Sequence, residues 1–127
     1  MVLKSSPVGT WAVRFAPGLA AEFDALSIPV QTELLAHATL LQTFGPSLGR
    51  PRVDTLNGSK HANMKEPRFA ADGGEWRVAF AFDPVRQAVL LAAGDKSGGS
   101  ERRFYRRLIG RADARFDAHL AAQRRHR

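Results

Sequence analysis

The fold is decided by residues 75–93, EWRVAFAFDPVRQAVLLAA. Up to residue 82, large apolar side chains alternate with smaller or charged ones, and this period of two predicts a strand with one apolar face. Asp83-Pro84 predicts a turn. Residues 88–93 are all apolar, which is typical of a strand that is buried on both faces. Because their connection is short, we expect the two strands to be antiparallel.

Two further strands are predicted upstream of this pair. Residues 62–70 predict a strand that the turn at residues 72–74 joins to the pair, which gives a three-stranded antiparallel meander. Pro67 argues against a central place for this strand, because proline cannot donate a ladder hydrogen bond. Alternating apolar residues predict the other strand over residues 10–16. Residues 45–60, rich in Gly, Pro, Asn and Ser, are predicted to be a solvent-facing loop.

Helices are predicted at both ends of this arrangement. Residues 17–44 predict a helical hairpin that begins at Pro17, where the missing N–H of proline is not needed. Residues 101–122 predict a long amphipathic helix, because apolar side chains recur at every fourth position from Phe104 onward. Ser100 is its predicted N-cap.

The predicted order is strand, helix, helix, strand, strand, strand, helix, an α+β fold of one domain over residues 1–127. Residues 1–9 and 123–127 are expected to be flexible ends. We expect the helical hairpin to cover the apolar face of the sheet, and the last helix to be amphipathic. The opposite face carries Arg77 between alanines, so we predict a shallow surface there with room for a ligand.

The second part of the chain is strongly basic. The formal net charge is +7, and 17 of the 19 Lys and Arg residues lie at or after residue 50. This balance favours a polyanionic partner, of which nucleic acid is the commonest. The absence of cysteine excludes disulfides, thiolate zinc sites and a cysteine nucleophile. There is neither an apolar run of membrane-spanning length nor a secretion signal, so we predict a cytoplasmic protein without a membrane partner.

Basic residues gather around the predicted meander, and this pattern suggests chemistry on RNA. We expect four of them to converge on one surface of the sheet: Lys65, Arg68, Arg77 and Lys96. A basic cluster without a carboxylate dyad suits RNA cleavage by the 2′-hydroxyl without a metal. Clustered cations lower the pKa of a lysine, which then serves as a base, and arginine holds phosphate. The four histidines lack the spacing of metal ligands, so we predict neither a metal nor a cofactor.

Three segments of the chain resemble the HigB-like branch of the RelE/ParE toxin superfamily, which includes the phage-derived Gp49-like proteins. They are KHANMKEPR at residues 60–68, EWRVAF at residues 75–80 and the segment from GDKS to Phe104-Tyr105 at residues 94–105. The resemblance covers most of residues 10–120. It implies a RelE-like fold and the toxin of a type II toxin–antitoxin pair, a ribosome-dependent mRNA endoribonuclease that inhibits translation. Its implied partners are the ribosome, mRNA and a cognate antitoxin, often a helix-turn-helix protein, with which it forms a hetero-oligomer.

The resemblance also implies roles for individual residues. Catalysis falls on Lys65, Arg77, Lys96 and Tyr105, and RNA binding is expected of Lys60, His61, Arg68, Arg102 and Arg103. The base is either Lys65 or His61. Two alternatives stay open, because relatives of the same fold have other activities. They are a non-catalytic toxin of the ParE type, which poisons gyrase, and a nucleic-acid- or antitoxin-binding module.

Overall fold

The computed structural model describes the backbone of residues 2–3 and residues 11–49 and 52–126. The strands are β1 (Val2–Leu3), β2 (Ala12–Phe15), β3 (Val53–Thr55), β4 (Lys65–Ala71), β5 (Gly74–Phe82) and β6 (Gln87–Asp95). The helices are α1 (Pro17–Phe23), α2 (Ile28–Phe44) and α3 (Glu101–Arg125), with a 3-10 turn at Gly45–Ser47. All six strands form one sheet in the order β1-β2-β6-β5-β4-β3. The predicted α+β class is confirmed.

The sheet is mixed, and not antiparallel throughout as expected. The predicted meander of β4, β5 and β6 is antiparallel. On its other side, however, β6 pairs in parallel with β2. Strand β6 therefore lies between β2 and β5, with its backbone paired on both edges. Helices cover both faces of the sheet at this strand, which explains why its sequence is continuously apolar.

Two stretches predicted to lack regular structure contain strands. Within the predicted loop at residues 45–60, β3 pairs with β4, and the side chains of Val53 and Leu56 are buried. Within the predicted flexible start, β1 pairs with β2. The remainder of the predicted flexible start, residues 1 and 4–9, lies outside the described residues, as does residue 10 of the predicted strand. Strands of two or three residues, such as β1 and β3, are too short to show an alternation of apolar and polar side chains.

One face of the sheet carries the core that the sequence predicts. Helices α1 and α2 pack there, and the fully buried Leu34 and Leu41 of α2 meet Val78 and Phe80 of β5. Trp76, expected in the same row, is only half-buried, and its ring stacks at 6.4 Å on that of Phe69. The helical hairpin therefore covers one sheet face as expected.

The other face is not the open surface that Arg77 and its neighbouring alanines suggested. Ala79 and Ala81 are buried beneath α3, in one cluster with Leu108, Ala112 and Phe116. Small side chains on a strand let a helix approach the sheet closely, so here the alanines make room for α3 and not for a ligand. The predicted apolar stripe of α3 is confirmed, as is its Ser100 cap, whose Oγ accepts a hydrogen bond of 3.2 Å from the Arg103 backbone N–H.

The C-terminal end of α3 is fastened to the β5–β6 turn by a buried carboxylate, Asp83. Its Oδ2 accepts hydrogen bonds from the side-chain amides of Gln87 at 2.9 Å and Gln123 at 2.6 Å, and His119 Nε2 lies 2.8 Å away. Burial alone raises the pKa of Asp83, but the hydrogen bonds, from His119 first, outweigh it and hold that pKa below its usual range. These contacts to Asp83 are therefore present at neutral pH, and they are lost as acid protonates the Asp83 carboxylate.

The helix consequently runs to Arg125, and the predicted flexible tail is wrong for residues 123–125. Residue 127 lies outside the described residues. Within the described ranges, every helix is too short or too polar to cross a lipid bilayer.

The contact between α3 and the sheet predicts a large effect of Leu108→Ala. Leu108 is fully buried, so truncation removes apolar contacts and leaves a cavity. The free energy of unfolding, measured by urea denaturation, should fall by about 2–5 kcal/mol. Arg107→Ala, which changes the exposed neighbour, should change it by no more than about 0.5 kcal/mol. Equal effects of the two substitutions would mean that α3 does not pack on this face.

Candidate functional site

A cleft of about 480 Å³ opens where the first turns of α3 pass over the edge of the sheet. Its charged and phenolic side chains come from β3, β4 and α3, and they are Asp54, Glu66, Arg68, Glu101, Arg102 and Tyr105. Further along α3 the helix lies flat on the sheet, so the cleft is confined to the helix N-terminus.

A buried carboxylate, Glu66, lies at the centre of this site. Glu66 is 3% exposed, and its Oε1 accepts a hydrogen bond of 2.7 Å from the hydroxyl of Tyr105. The same oxygen lies 3.4 Å from Nε of Arg68 and 3.4 Å from Nε of Arg77. A buried carboxylate is costly unless it is paired, and here three donors surround it. We call Glu66, Arg68, Arg77 and Tyr105 the Glu66 cluster.

The guanidinium of Arg77 is held in place by its surroundings. Arg77 is 8% exposed, its Nη1 donates to the carbonyl of Trp76 at 3.0 Å, and its Nη2 lies 3.7 Å from Glu75. Its Nε has only the ionic contact to Glu66 and no hydrogen bond of good geometry within the described residues. A buried N–H without a full hydrogen bond keeps donor capacity, which is uncommon in a purely structural contact.

Tyr105 remains a neutral donor well above neutral pH. Burial raises the pKa of the phenol, and the hydrogen bond to the Glu66 carboxylate raises it further, while Arg77 opposes both effects. The hydroxyl therefore keeps its proton wherever the protein works near neutral pH.

Lys96 lies at the rim of the cluster with its charge paired. Its Nζ lies 2.9 Å from Oε1 of Glu101. Lys96 holds the pKa of Glu101 below its usual range, and Arg77 and Arg68 add smaller effects. Lys96 and Arg77 therefore both act electrostatically on Glu101, so they lie in one neighbourhood.

Lys65 does not join the other predicted catalytic residues, so the expected convergence on one surface is wrong for it. In β4, Lys65 lies opposite Phe80, whereas Arg68 lies opposite Arg77. Because successive side chains of a strand point to opposite faces, Lys65 projects to the side of α2 and Glu66 to the side of α3. Lys65 lines a different depression, together with Leu48 and Phe82.

Lys60 and His61 are also remote from the cleft, because both contact the C-terminal half of α3. The Lys60 ammonium pairs with the Asp117 carboxylate, and His61 Nε2 lies 2.9 Å from the other oxygen of Asp117. The His61 ring also meets the Phe116 ring edge-on at 4.8 Å. Asp117 is twelve positions after Tyr105, about 18 Å along the helix. These contacts fasten the segment before β4 onto α3.

The arginines of α3 that precede its last turn fall into two groups. Arg111 and Arg115 hold α1 in place through Glu22, and Arg115 makes two hydrogen bonds to that carboxylate at 2.9 and 3.0 Å. Four others, within the described residues, are exposed and have no acidic partner: Arg102, Arg103, Arg106 and Arg107. We call these four the arginine face, and with Arg102 it reaches the cleft.

Sequence reasoning missed Glu66 and Glu101. Both are acidic, whereas the residue pattern predicted a site made of cations and a tyrosine. A signal for Glu66 was nevertheless present, because residues 66 and 68 share one face of a strand and residue 65 lies on the other.

The hydrogen bond between Tyr105 and Glu66 predicts a displaced titration of the phenol. Tyr105 is the single tyrosine of the chain, so absorbance at alkaline pH reports it alone. Its midpoint should lie above the ordinary value of about 10. Glu66→Gln should lower this midpoint, because the negative charge is removed, whereas Glu33→Gln on α2 should leave it unchanged. Circular dichroism would verify folding, and an unshifted midpoint in the unsubstituted protein would contradict the contact.

Comparisons with known proteins agree with the resemblance seen in the sequence. The family model described as phage-derived protein Gp49-like matches residues 21–117. A Mycobacterium tuberculosis protein named "Putative toxin HigB2" is 48% identical over 89 residues, 69% of this chain and 44% of that protein, so this chain matches less than half of its length. A second, named "Putative toxin HigB3", is 43% identical over 112 residues, 88% of this chain and 96% of that protein. No solved structure matches. The chain therefore belongs to the phage-derived Gp49-like family, among HigB-like proteins.

Proposed function

We propose that this protein is the toxin of a type II toxin–antitoxin pair, and that it cuts mRNA on the ribosome. Its relatives are named as toxins, which supports the first part. The observation that carries the second part is the Glu66 cluster, in which a carboxylate, a tyrosine and two arginines meet at the floor of a cleft. These are the groups that metal-independent RNA cleavage requires.

The chemistry assigns one step to each member of the cluster. Glu66 takes the proton of a ribose 2′-hydroxyl, and the resulting 2′-oxygen forms a bond to the adjacent phosphorus. The bond from phosphorus to the 5′-oxygen breaks, and Tyr105 gives its proton to that leaving oxygen. Arg68 and Arg77 stabilise the negative charge that develops on the phosphorane. The products are a 2′,3′-cyclic phosphate and a 5′-hydroxyl.

This assignment moves the base from Lys65 or His61 to Glu66. Lys65 projects from the other face of β4, and His61 contacts Asp117 well away from the cleft. Glu66 lies on the same face as Arg68 and accepts a hydrogen bond from Tyr105. This carboxylate is within reach of the tyrosine and of both arginines.

The arginine face supplies the attraction for RNA. Within the cleft the cations are largely balanced by Glu66 and Glu101, so the excess positive charge lies on the adjoining turns of α3. Arginines without acidic partners bind backbone phosphates through charge and release counterions, independently of base sequence. The strand of RNA would thus lie along the first turns of α3 with one phosphate in the cleft.

A toxin that binds its target without cutting RNA is the second candidate. The observation that favours it is α3 itself, which covers most of the sheet face on which we had expected an open site. At the helix N-terminus, this face remains accessible through the cleft. The two candidates differ in whether mRNA is broken.

Induced expression in bacteria, followed by mapping of mRNA 5′ ends, tests the nuclease. The unsubstituted chain should arrest growth and produce new ends inside translated frames. Glu66→Gln and Tyr105→Phe should each reduce these ends by about 10²–10⁴-fold, the usual contribution of a positioned acid or base. Tyr105→Phe is the cleaner variant, since it keeps the ring. Arg77→Ala is a less informative variant, because it leaves the Glu66 carboxylate buried beside a cavity.

Two further variants make this experiment decisive. Glu33→Gln removes an equal charge from α2 and should leave the ends unchanged. Lys65→Ala discriminates between the two assignments of the base, and it should retain cleavage. Loss of cleavage in Lys65→Ala with full cleavage in Glu66→Gln would reverse our assignment. Growth arrest with intact mRNA would favour the toxin that does not cut.

A further inference from the structure

A groove runs along the C-terminal half of α3, at the other end of the helix from the cleft. It consists of three adjoining depressions with volumes of about 330, 230 and 420 Å³. The first two share Arg14, His119 and Ala122, and the last two share Gln123 and His126, so the three are continuous. The groove lies between α3, the start of α1 and the β5–β6 turn.

The floor of the groove is apolar and exposed. Ala118 and Ala122 of α3 lie beside Pro17 at one end, and Leu120 lies beside Val85 at the other. Val85 is 59% exposed, which makes it one of three large apolar side chains left in solvent within the described residues. Between these two apolar patches, the middle depression is polar except for Ala122. Apolar patches that are exposed and rimmed by polar residues mark interaction sites.

The walls of the groove are fixed before any partner arrives. Two residues of the middle depression, His119 and Gln123, contact Asp83, and Asp83 also accepts from the backbone N–H groups of Val85 and Gln87, each at 3.0 Å. These contacts hold the helix and the turn at a constant separation. A preformed groove spares a partner the entropic cost of ordering it.

The rim of the groove is positively charged. Arg14 and Arg124 supply this charge beside the apolar patches. Two carboxylates that contact groove residues are already paired, Asp83 with His119 and Gln123, and Glu22 with Arg115. Charge complementarity therefore selects an acidic partner that also presents small apolar side chains to the floor.

We propose that this groove is where an acidic, apolar-bearing segment of the antitoxin docks, an inference that rests on the proposed function. The partner is a protein segment and not RNA, because none of the groove residues is Phe, Tyr or Trp, the rings on which unpaired bases stack best. An apolar floor instead suits aliphatic side chains. RNA is better accommodated at the cleft, where Tyr105 adjoins the arginine face.

The position of the groove has a consequence for toxicity. Ala122 follows Tyr105 by seventeen positions, which places the two about 25 Å apart along α3. A substitution in the groove therefore leaves the Glu66 cluster untouched. The groove variants should remain toxic and escape neutralisation.

Calorimetric titration of the full chain with the protein encoded by its adjoining gene tests the proposal. Ala122→Glu places negative charge and bulk in the groove, and Val85→Asp replaces an apolar side chain with a negative charge. Each should weaken binding by about tenfold or more. Ala114→Glu makes the same exchange at an exposed position of α3 outside the groove lining, and should leave the affinity unchanged. Thermal unfolding of each variant verifies that it is folded.

Unchanged affinity in both groove variants would overturn the proposal, and so would the absence of binding by the unsubstituted chain. Titration with a single-stranded oligoribonucleotide forms the second arm. If the groove variants weaken RNA binding and leave the antitoxin affinity intact, the groove is an RNA site and the proposal is wrong. Because affinity is measured without reference to cleavage, failure of the nuclease proposal leaves this test unaffected.

Discussion

The structure depends on the packing of α3 across the β5–β6 face of the sheet. Leu108, Ala112 and Phe116 lie against Ala79 and Ala81, and burial of each large apolar side chain contributes about 1.5–3 kcal/mol. The alanines are what permits this contact, because larger side chains on the strand would hold the helix away. This contact fixes the positions of both ends of α3. At one end Tyr105 reaches Glu66, and at the other His119 reaches Asp83.

The packing of α3 on the sheet also divides the basic residues into those that pair with carboxylates of this chain and those that face solvent. Arg77 and Arg115 are committed to carboxylates of this chain, Glu66 and Glu22, and their charges help to hold elements together. Lys60 is committed likewise, to Asp117. Among the residues that the structure describes, the arginine face has no such partner, and it lies on the side of α3 that the sheet does not contact. Net charge alone does not separate these groups, because an arginine bound to a carboxylate and a free one count equally in a composition.

Periodicity predicted most of the fold. The meander, the helical hairpin, the stripe of α3 and the Ser100 cap all follow from regular spacing or from a local hydrogen bond, and they require no knowledge of distant residues. The short strands β1 and β3 were not predicted, because two or three residues are too few to show a periodic pattern of apolar side chains. The covering of this sheet face by α3 was not predicted, for a different reason. Alanines beside an arginine give the same sequence pattern whether a ligand or a helix lies over them.

The candidate site was predictable only in part. Arg77, Tyr105, Arg68 and Lys96 are near one another as expected, since the meander and the start of α3 bring them there. Lys65 was misplaced, although the alternation of strand side chains, applied strictly, assigns it to the other face. Lys60 and His61 were misplaced because nothing local to them indicates the acidic residues of α3 that bind them. The role of Glu66 depends on Tyr105, 39 residues later, and such a pair is visible only in the folded chain.

The most direct test of the central claim is the chemistry of the cut ends. Purified protein would be added to ribosomes translating a defined mRNA, and the termini of the fragments would be identified by mass spectrometry. Attack by the 2′-hydroxyl with Glu66 as base predicts a 2′,3′-cyclic phosphate on the upstream fragment and a 5′-hydroxyl on the downstream one. Intact mRNA, or fragments with 5′-phosphates, would contradict the account.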